Sequence, residues 1–207
     1  MVRFGEIGEL IFPQRCAGCD TPGPLLCDGC RTHLAAPPSR VFPHTPPLVP
    51  VFALGPYADP HRAVILAMKE KRNMAVRAHV GAVLAAALEY LEARGEIPTG
   101  CVLVPAPTRA ASARQRGGDP VEQVCRASGR PVAGVLSLAP STADQSGLDQ
   151  SARRANMSRA VRLAGVPRGR VIVVDDVVTT GATLQASVAA ILAAGGDVAA
   201  CLTLCAA

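Results

Sequence analysis

The chain has 207 residues; 49% are hydrophobic, only 3% are aromatic, and there is no tryptophan. That length allows one good-sized core with a small appendage, and a core of Ala, Val, Leu and Ile suits helices packed on a Val/Ile sheet better than an aromatic-rich barrel. The net charge of +5, from 21 basic and 16 acidic residues, is too mild to argue for nucleic acid by itself.

The opening MVRFGEIGEL carries acids and lacks a long apolar stretch. It does not read as a signal peptide, so a cytoplasmic protein with no membrane role is expected. The most apolar helix candidate, Val80 to Leu91, contains Glu89 and reads as too short to span a bilayer. Eight cysteines without an export signal read as thiols or metal ligands, not as disulfides.

Residues 1–36 hold two CxxC pairs, Cys16 with Cys19 and Cys27 with Cys30, separated by seven residues. Four thiolates give the closed tetrahedral shell of a structural zinc site, with a glycine in each pair easing the turn. A segment this small gains its stability from the metal. His33 lies three residues after Cys30 and reads as a surface histidine. Cys101, Cys125, Cys201 and Cys205 fall on expected strands or helices and read as buried small apolar residues. Residues 1–36 are thus a zinc-binding module. Residues 37–50, with six prolines, are a linker or extended arm, and 51–207 form the main domain.

Val49 to Tyr57 reads as extended, and 59–72 as a short helix ending in Lys69, Lys71 and Arg72. Asn73 can cap the next helix, where apolar residues at 76, 80, 83, 84, 87, 88 and 91 recur at helical spacing until Gly95 and Pro98. Cys101 to Val104 is a short strand. Asp119-Pro120-Val121-Glu122 starts a helix, with Asp as N-cap and Pro at the first helical position. A strand is expected over 132–138 and a helix over 149–160. Val171 to Val174 is a β-branched strand, 182–194 is a helix ended by Gly195-Gly196, and Val198 to Leu204 is a last strand. The alternation gives an α/β fold with a mainly parallel sheet and flanking helices.

The run VIVVDDVVTTGAT, Val171 to Thr183, places Asp175 and Asp176 at a strand's carboxyl end, where parallel α/β sheets bind ligands. Val178, Thr179, Thr180, Gly181, Ala182 and Thr183 follow into a helix start, whose free N–H groups favour an anion. Carboxylates to accept from sugar hydroxyls and a loop to hold a phosphate suit a sugar phosphate.

This run resembles the signature of type I phosphoribosyltransferases, and with the four-cysteine module the whole chain resembles the ComF family of amidophosphoribosyltransferase-like competence proteins. Further matching elements are Val104 to Arg109, Arg114 to Gly117, and Thr142, Gln145, Leu148, Arg153 and Asn156. The pattern departs at Gly118, where the family has an aromatic residue, and before Thr142, where no basic residue stands. The resemblance implies a type I phosphoribosyltransferase-like fold, with Asp175 and Asp176 on the ribose 2′ and 3′ hydroxyls and 178–183 around the 5′-phosphate. It implies a pyrophosphate loop at Ala106, Pro107, Thr108 and Arg109, with Arg109 on the pyrophosphate, and a mobile loop at 139–150.

The leading expectation is an enzyme that binds magnesium and 5-phosphoribosyl 1-pyrophosphate and transfers the phosphoribosyl group to an acceptor. The alternative is a competence-related accessory protein of DNA uptake. In that case the zinc module docks single-stranded DNA or a helicase-type partner, and the nucleotide-sugar site is sensory or vestigial. Few aromatic residues are available for stacking on single strands.

Overall fold

The computed structural model describes residues 14–70, 74–108, 117–139 and 160–207. Among these, β1 (Ser39–Val41), β2 (Val51–Ala53), β3 (Val102–Pro105), β6 (Arg170–Val178) and β7 (Asp197–Ala206) form one sheet in the order β1-β2-β7-β6-β3. All pairs are parallel except β1 with β2, so the sheet is mixed, with its one antiparallel pairing at an edge. β1 lies inside the proline-rich stretch 37–50, so part of that stretch is an edge strand.

Helices cover both faces. On one face lie α2 (His61–Lys69), α3 (Met74–Ala93) and α4 (Pro120–Ala127), whose Val64, Met68, Leu84, Leu88 and Val124 share a core layer with Phe52, Ile172, Val174 and Leu202. Cys16, Leu26, Cys30 and Leu34 belong to the same layer. On the other face α5 (Ala182–Ala193) packs Leu184, Val188 and Ile191 against Val51, Val171, Val173 and Cys201. The strict alternation of Val171 to Val174 between the two layers is the period of two that a doubly covered strand requires.

Local signals explain the element ends. The Asp119 carboxylate accepts from Val121 N–H at 2.9 Å and Glu122 N–H at 3.2 Å, and Pro120 opens α4 as expected. Gly195, with φ +84°, ends α5 while its N–H bonds Leu192 O. The expected helix over 59–72 is shorter, ending at Lys69, and residues 71–73 lie outside the described ones.

Two expectations are corrected. Residues 132–138 are not one strand. Val132 bridges Leu103 beside β3, and after Gly134 the chain enters β4 (Leu136–Leu138), which pairs antiparallel with β5 (Val161–Leu163) in a separate two-stranded sheet. Glycine inside a strand pattern marks such a bend. α3 has twenty residues, so by length and composition it could cross a membrane, contrary to the expectation of too short a segment. Here Val76, Val80, Leu84, Leu88 and Leu91 are buried in the protein core. Gly81 fits it tightly to α4, since a Cβ there would lie 2.5 Å from the Ala127 Cβ.

Candidate functional site

The cysteine module is built from a turn and a short helix. Arg15 bridges Pro22, Asp20 N–H bonds Cys16 O at 2.8 Å, and Cys16 N–H bonds Thr21 O at 2.9 Å, which curls 16–21 into a knuckle. Cys27 is the N-cap of α1 (Asp28–Leu34), whose first turn presents Cys30. All four Sγ atoms lie within 4.8 Å of one another, with Cys19 and Cys27 Sγ 3.7 Å apart. Tetrahedral zinc at about 2.3 Å from each sulfur spaces its sulfurs about 3.8 Å apart. The arrangement fits a closed tetrathiolate zinc module after small adjustments. His33 is not in the cluster; its ring meets His61 edge-on at 5.8 Å.

The thiols are prepared unequally. Burial works to raise Cys16, but N–H groups of Cys27, Gly18 and Cys19 outweigh it and bring the thiol down to about 6. The Thr21 hydroxyl, by a hydrogen bond, lowers Cys19. Cys30 is pushed up, first by burial and then by its sulfur neighbours. The left-handed residue of the knuckle is Asp20 (φ +59°), held by Arg15 at 2.8 Å, and neither glycine of the CxxC pairs has positive φ. Gly18 is needed for space instead: a Cβ there would sit 2.7 Å from Cys30 Sγ and 3.1 Å from Pro60 Cβ. At Gly29 a Cβ would meet nothing within 4 Å. The other four cysteines are buried and unpaired, as expected.

The second cluster lies at the carboxyl end of the sheet. β3 pairs with β6 from Val102–Val171 to Pro105–Val174, and Ala106 N–H bonds Val174 O at 2.7 Å. β6 runs four residues further, paired on its other side with β7 through Val178–Ala206. Asp175 and Asp176 therefore lie within β6 by its pairing with β7, yet beyond the end of β3. Ala106, Pro107 and Thr108 begin the turn that leaves β3 beside them. Arg109 lies outside the described residues, as do Arg114 to Arg116, Thr142, Gln145, Leu148, Arg153, Asn156, residues 140–150 of the expected mobile loop and 149–159 of the expected helix.

The alternation of β6 carries on into the acids. Asp176 sits on the α2 side, where Lys69 Nζ lies 2.5 Å from its Oδ2, with both side chains about a quarter exposed, at 28% and 23%. Asp175 sits on the other side, where its charge adds to burial in raising the Cys201 thiol. Each carboxylate accepts the N–H of the next residue, Asp176 N–H at 2.8 Å and Val177 N–H at 2.7 Å. Loss of hydration, then the charge of Asp176, raises Asp175 to about 8.

Thr179 is exposed, while Thr180, Ala182 and Thr183 are half-buried. Gly181 is the N-cap of α5 with φ +87°, a left-handed conformation that favours glycine. The space its side chain would fill is taken by Thr45 O and by Pro43 Cβ, the latter at 2.7 Å. Thr45 N–H also bonds Thr180 O at 2.7 Å, so the proline-rich stretch buttresses the turn. The bare α-carbon of Gly181 is accounted for by this packing, whereas the outward N–H groups of a helix start are what could hold an anion.

Sequence reasoning passed over two features. Lys69 stood only as part of a basic cluster at a helix end. Arg77 sat in the apolar α3 pattern; it is buried, and its Nε donates to Met68 O at 2.9 Å while its Nη1 donates to Gln123 Oε1.

No protein-family model matches the chain. A curated relative, a protein of Escherichia coli O157:H7 named DNA utilization protein YhgH, is 29% identical over 184 residues, covering 83% of this chain and 79% of that one.

Two predictions follow from this geometry. Protein purified without chelator should carry about one zinc per chain. Gly18→Ala should lower that content because its Cβ presses on Cys30, whereas Gly29→Ala should keep it. Metal analysis of the three proteins checks this, and a metal-free parent would remove the zinc assignment.

The second concerns pH. A carboxyl raised in the folded state costs stability once the unfolded chain ionises. The penalty is absent below about pH 4 and grows as pH rises toward 8. Asp175→Asn keeps an oxygen to accept the Asp176 N–H and removes that charge. The variant should melt with the parent near pH 4 and above it at pH 8, by on the order of 1 kcal/mol or more. A parent that is the more stable at pH 8 would contradict the raised carboxyl.

Proposed function

We propose that this chain is an accessory protein of DNA utilisation, in which a zinc-containing module is packed on an α/β domain that binds a nucleotide-type sugar phosphate. The observation that carries the first half is the similarity, over most of both chains, to a protein named for DNA utilisation. The second half is supported by the strand-end acids and the glycine-capped helix start of α5, which together offer acceptors for sugar hydroxyls and donors for a phosphate. In this reading magnesium is a companion of the ligand, and it would supply charge neutralisation to a pyrophosphate.

A second reading, phosphoribosyl transfer, is favoured by one specific arrangement. The turn leaving β3 at Ala106–Thr108 and the acids of β6 are brought side by side by the Pro105–Val174 pairing. A sugar lying between them would have its C1 substituent toward the first turn and its 5′-phosphate toward Val178–Thr183. Displacement at C1 leaves a cationic sugar, which the Asp176 carboxylate, and Asp175 once it gives up its proton, would stabilise, while Arg109 would neutralise the departing pyrophosphate. Nothing among the described residues identifies an acceptor or a general base.

For DNA, the exposed surface offers Phe42, 83% exposed, with the Arg40 guanidinium 5.6 Å from its ring centroid. An aromatic face backed by arginine is the kind of group on which a single-strand base stacks.

The sugar-phosphate half is tested by titrating ribose 5-phosphate into the parent and Thr180→Ala. One lost hydrogen bond to a charged group is worth roughly 1.5–3 kcal/mol, so the variant should bind about one to two orders of magnitude more weakly. An unchanged dissociation constant would move the phosphate elsewhere.

The DNA half is tested by titrating oligothymidylate at several salt concentrations. Binding should appear at low salt, weaken steadily as salt rises, and fall by about 1–3 kcal/mol in Phe42→Ala. No binding at low salt would leave DNA utilisation to act through another partner.

A further inference from the structure

The strand-end acids carry a cation that neither the sequence pattern nor the proposed function uses. Lys69 is the last residue of α2, and its Nζ sits on Asp176 Oδ2. Its field also reaches Asp175 and Cys205, lowering both, so the ammonium is a local counter-charge for the pair and not a solvated surface group. Its face of the sheet matters more. α2 packs in the layer of Ile172 and Val174, whereas the Val178–Thr183 turn leads into α5 on the opposite layer. An anion held by the turn and an anion reached by Lys69 would thus belong to different ends of one ligand.

We propose that Lys69 is a positioning residue of this site: in the empty site its ammonium holds Asp176, and in the loaded site it meets an anionic group at the end of the sugar remote from the 5′-phosphate. This rests on the sugar-phosphate reading above. Three considerations support it. An ammonium has three donors on a flexible stem, so Nζ can keep Asp176 and still donate to an oxyanion. Asp176 and Lys69 are only about a quarter exposed, so their interaction is less screened than that of a surface pair such as Arg15 with Asp20, exposed by 50% and 78%. And a sugar hydroxyl that takes one oxygen of Asp176 weakens its hold on Lys69 at the moment the ligand's own negative charge arrives.

The assignment separates two probes. Ribose 5-phosphate has one anionic end, and 5-phosphoribosyl 1-pyrophosphate has two. In calorimetric titrations Lys69→Met should weaken binding of the pyrophosphate-bearing probe by roughly 10- to 150-fold more than that of ribose 5-phosphate. Lys69→Arg, which keeps the charge, should recover most of the loss. Lys69→Gln serves beside Lys69→Met should the apolar variant melt early. A lysine that merely steadied Asp176 would weaken both probes alike, and equal losses would overturn the proposal while leaving the sugar-phosphate reading in place. A parent that binds ribose 5-phosphate but gains nothing from the second anionic group would overturn it too. A parent that binds neither probe would take down the sugar-phosphate reading and this proposal together.

Discussion

The pairing of Pro105 with Val174 is the last rung between β3 and β6, and the candidate site depends on where that ladder stops. β6 continues to Val178, paired with β7 through Val178–Ala206. On the β3 side its backbone from Asp175 onward has no strand partner among the described residues, and the turn that leaves β3 is in place to face it. Had β3 run three residues longer, Asp175 and Asp176 would be interior strand residues with nothing to bind. Carboxylates within a strand are costly when both faces are covered. The raised carboxyl of Asp175 and the lysine on Asp176 are two different answers to that cost.

Alternation along β6 explains why the answers differ. Consecutive strand residues face opposite ways. Asp176 falls on the side where the last residue of α2 can reach it, and Asp175 falls on the side of α5, where among the described residues no cation is paired with it. A site built this way is polarised before any ligand arrives: a neutralised acid on one face, a reluctant acid on the other, and a helix start beyond them. The proline-rich stretch completes it from outside, since Thr45 bonds the turn and Pro43 fills the space beside Gly181.

Much of this was legible in the sequence, because the signals were local. The β-branched run 171–174, the Asp119-Pro120 helix start and the paired CxxC spacing each state their structure within a few residues. What escaped was long-range. Gly18 looks like a turn glycine, but its role is clearance from Cys30 and Pro60, while Asp20 takes the left-handed conformation. Nothing within a strand pattern announces that 132–138 divides between two sheets, except Gly134. Lys69 and Asp176 are more than a hundred residues apart in sequence, so no periodicity could pair them. The proline run suggested a linker or arm because proline lacks a donor, yet Thr45 within it donates its N–H to the Thr180 carbonyl.

The two clusters are joined by packing as well as by chain. Gly18 of the cysteine knuckle lies against Pro60, the N-cap of α2, and α2 ends nine residues later at Lys69. Nine helical residues span about 13 Å, and a helix with Val64, Ile65 and Met68 fixed in the core is a stiff strut over that length. Cys16 and Cys30 belong to the same buried layer as that strut. A tetrathiolate metal that closes the knuckle would therefore also press one end of α2 into place, and the opposite end carries the ammonium that balances Asp176. The module then needs no catalytic role to matter to the sheet-end site. The packing gives the connection: the knuckle lies against the start of a helix whose last residue, Lys69, is paired with Asp176.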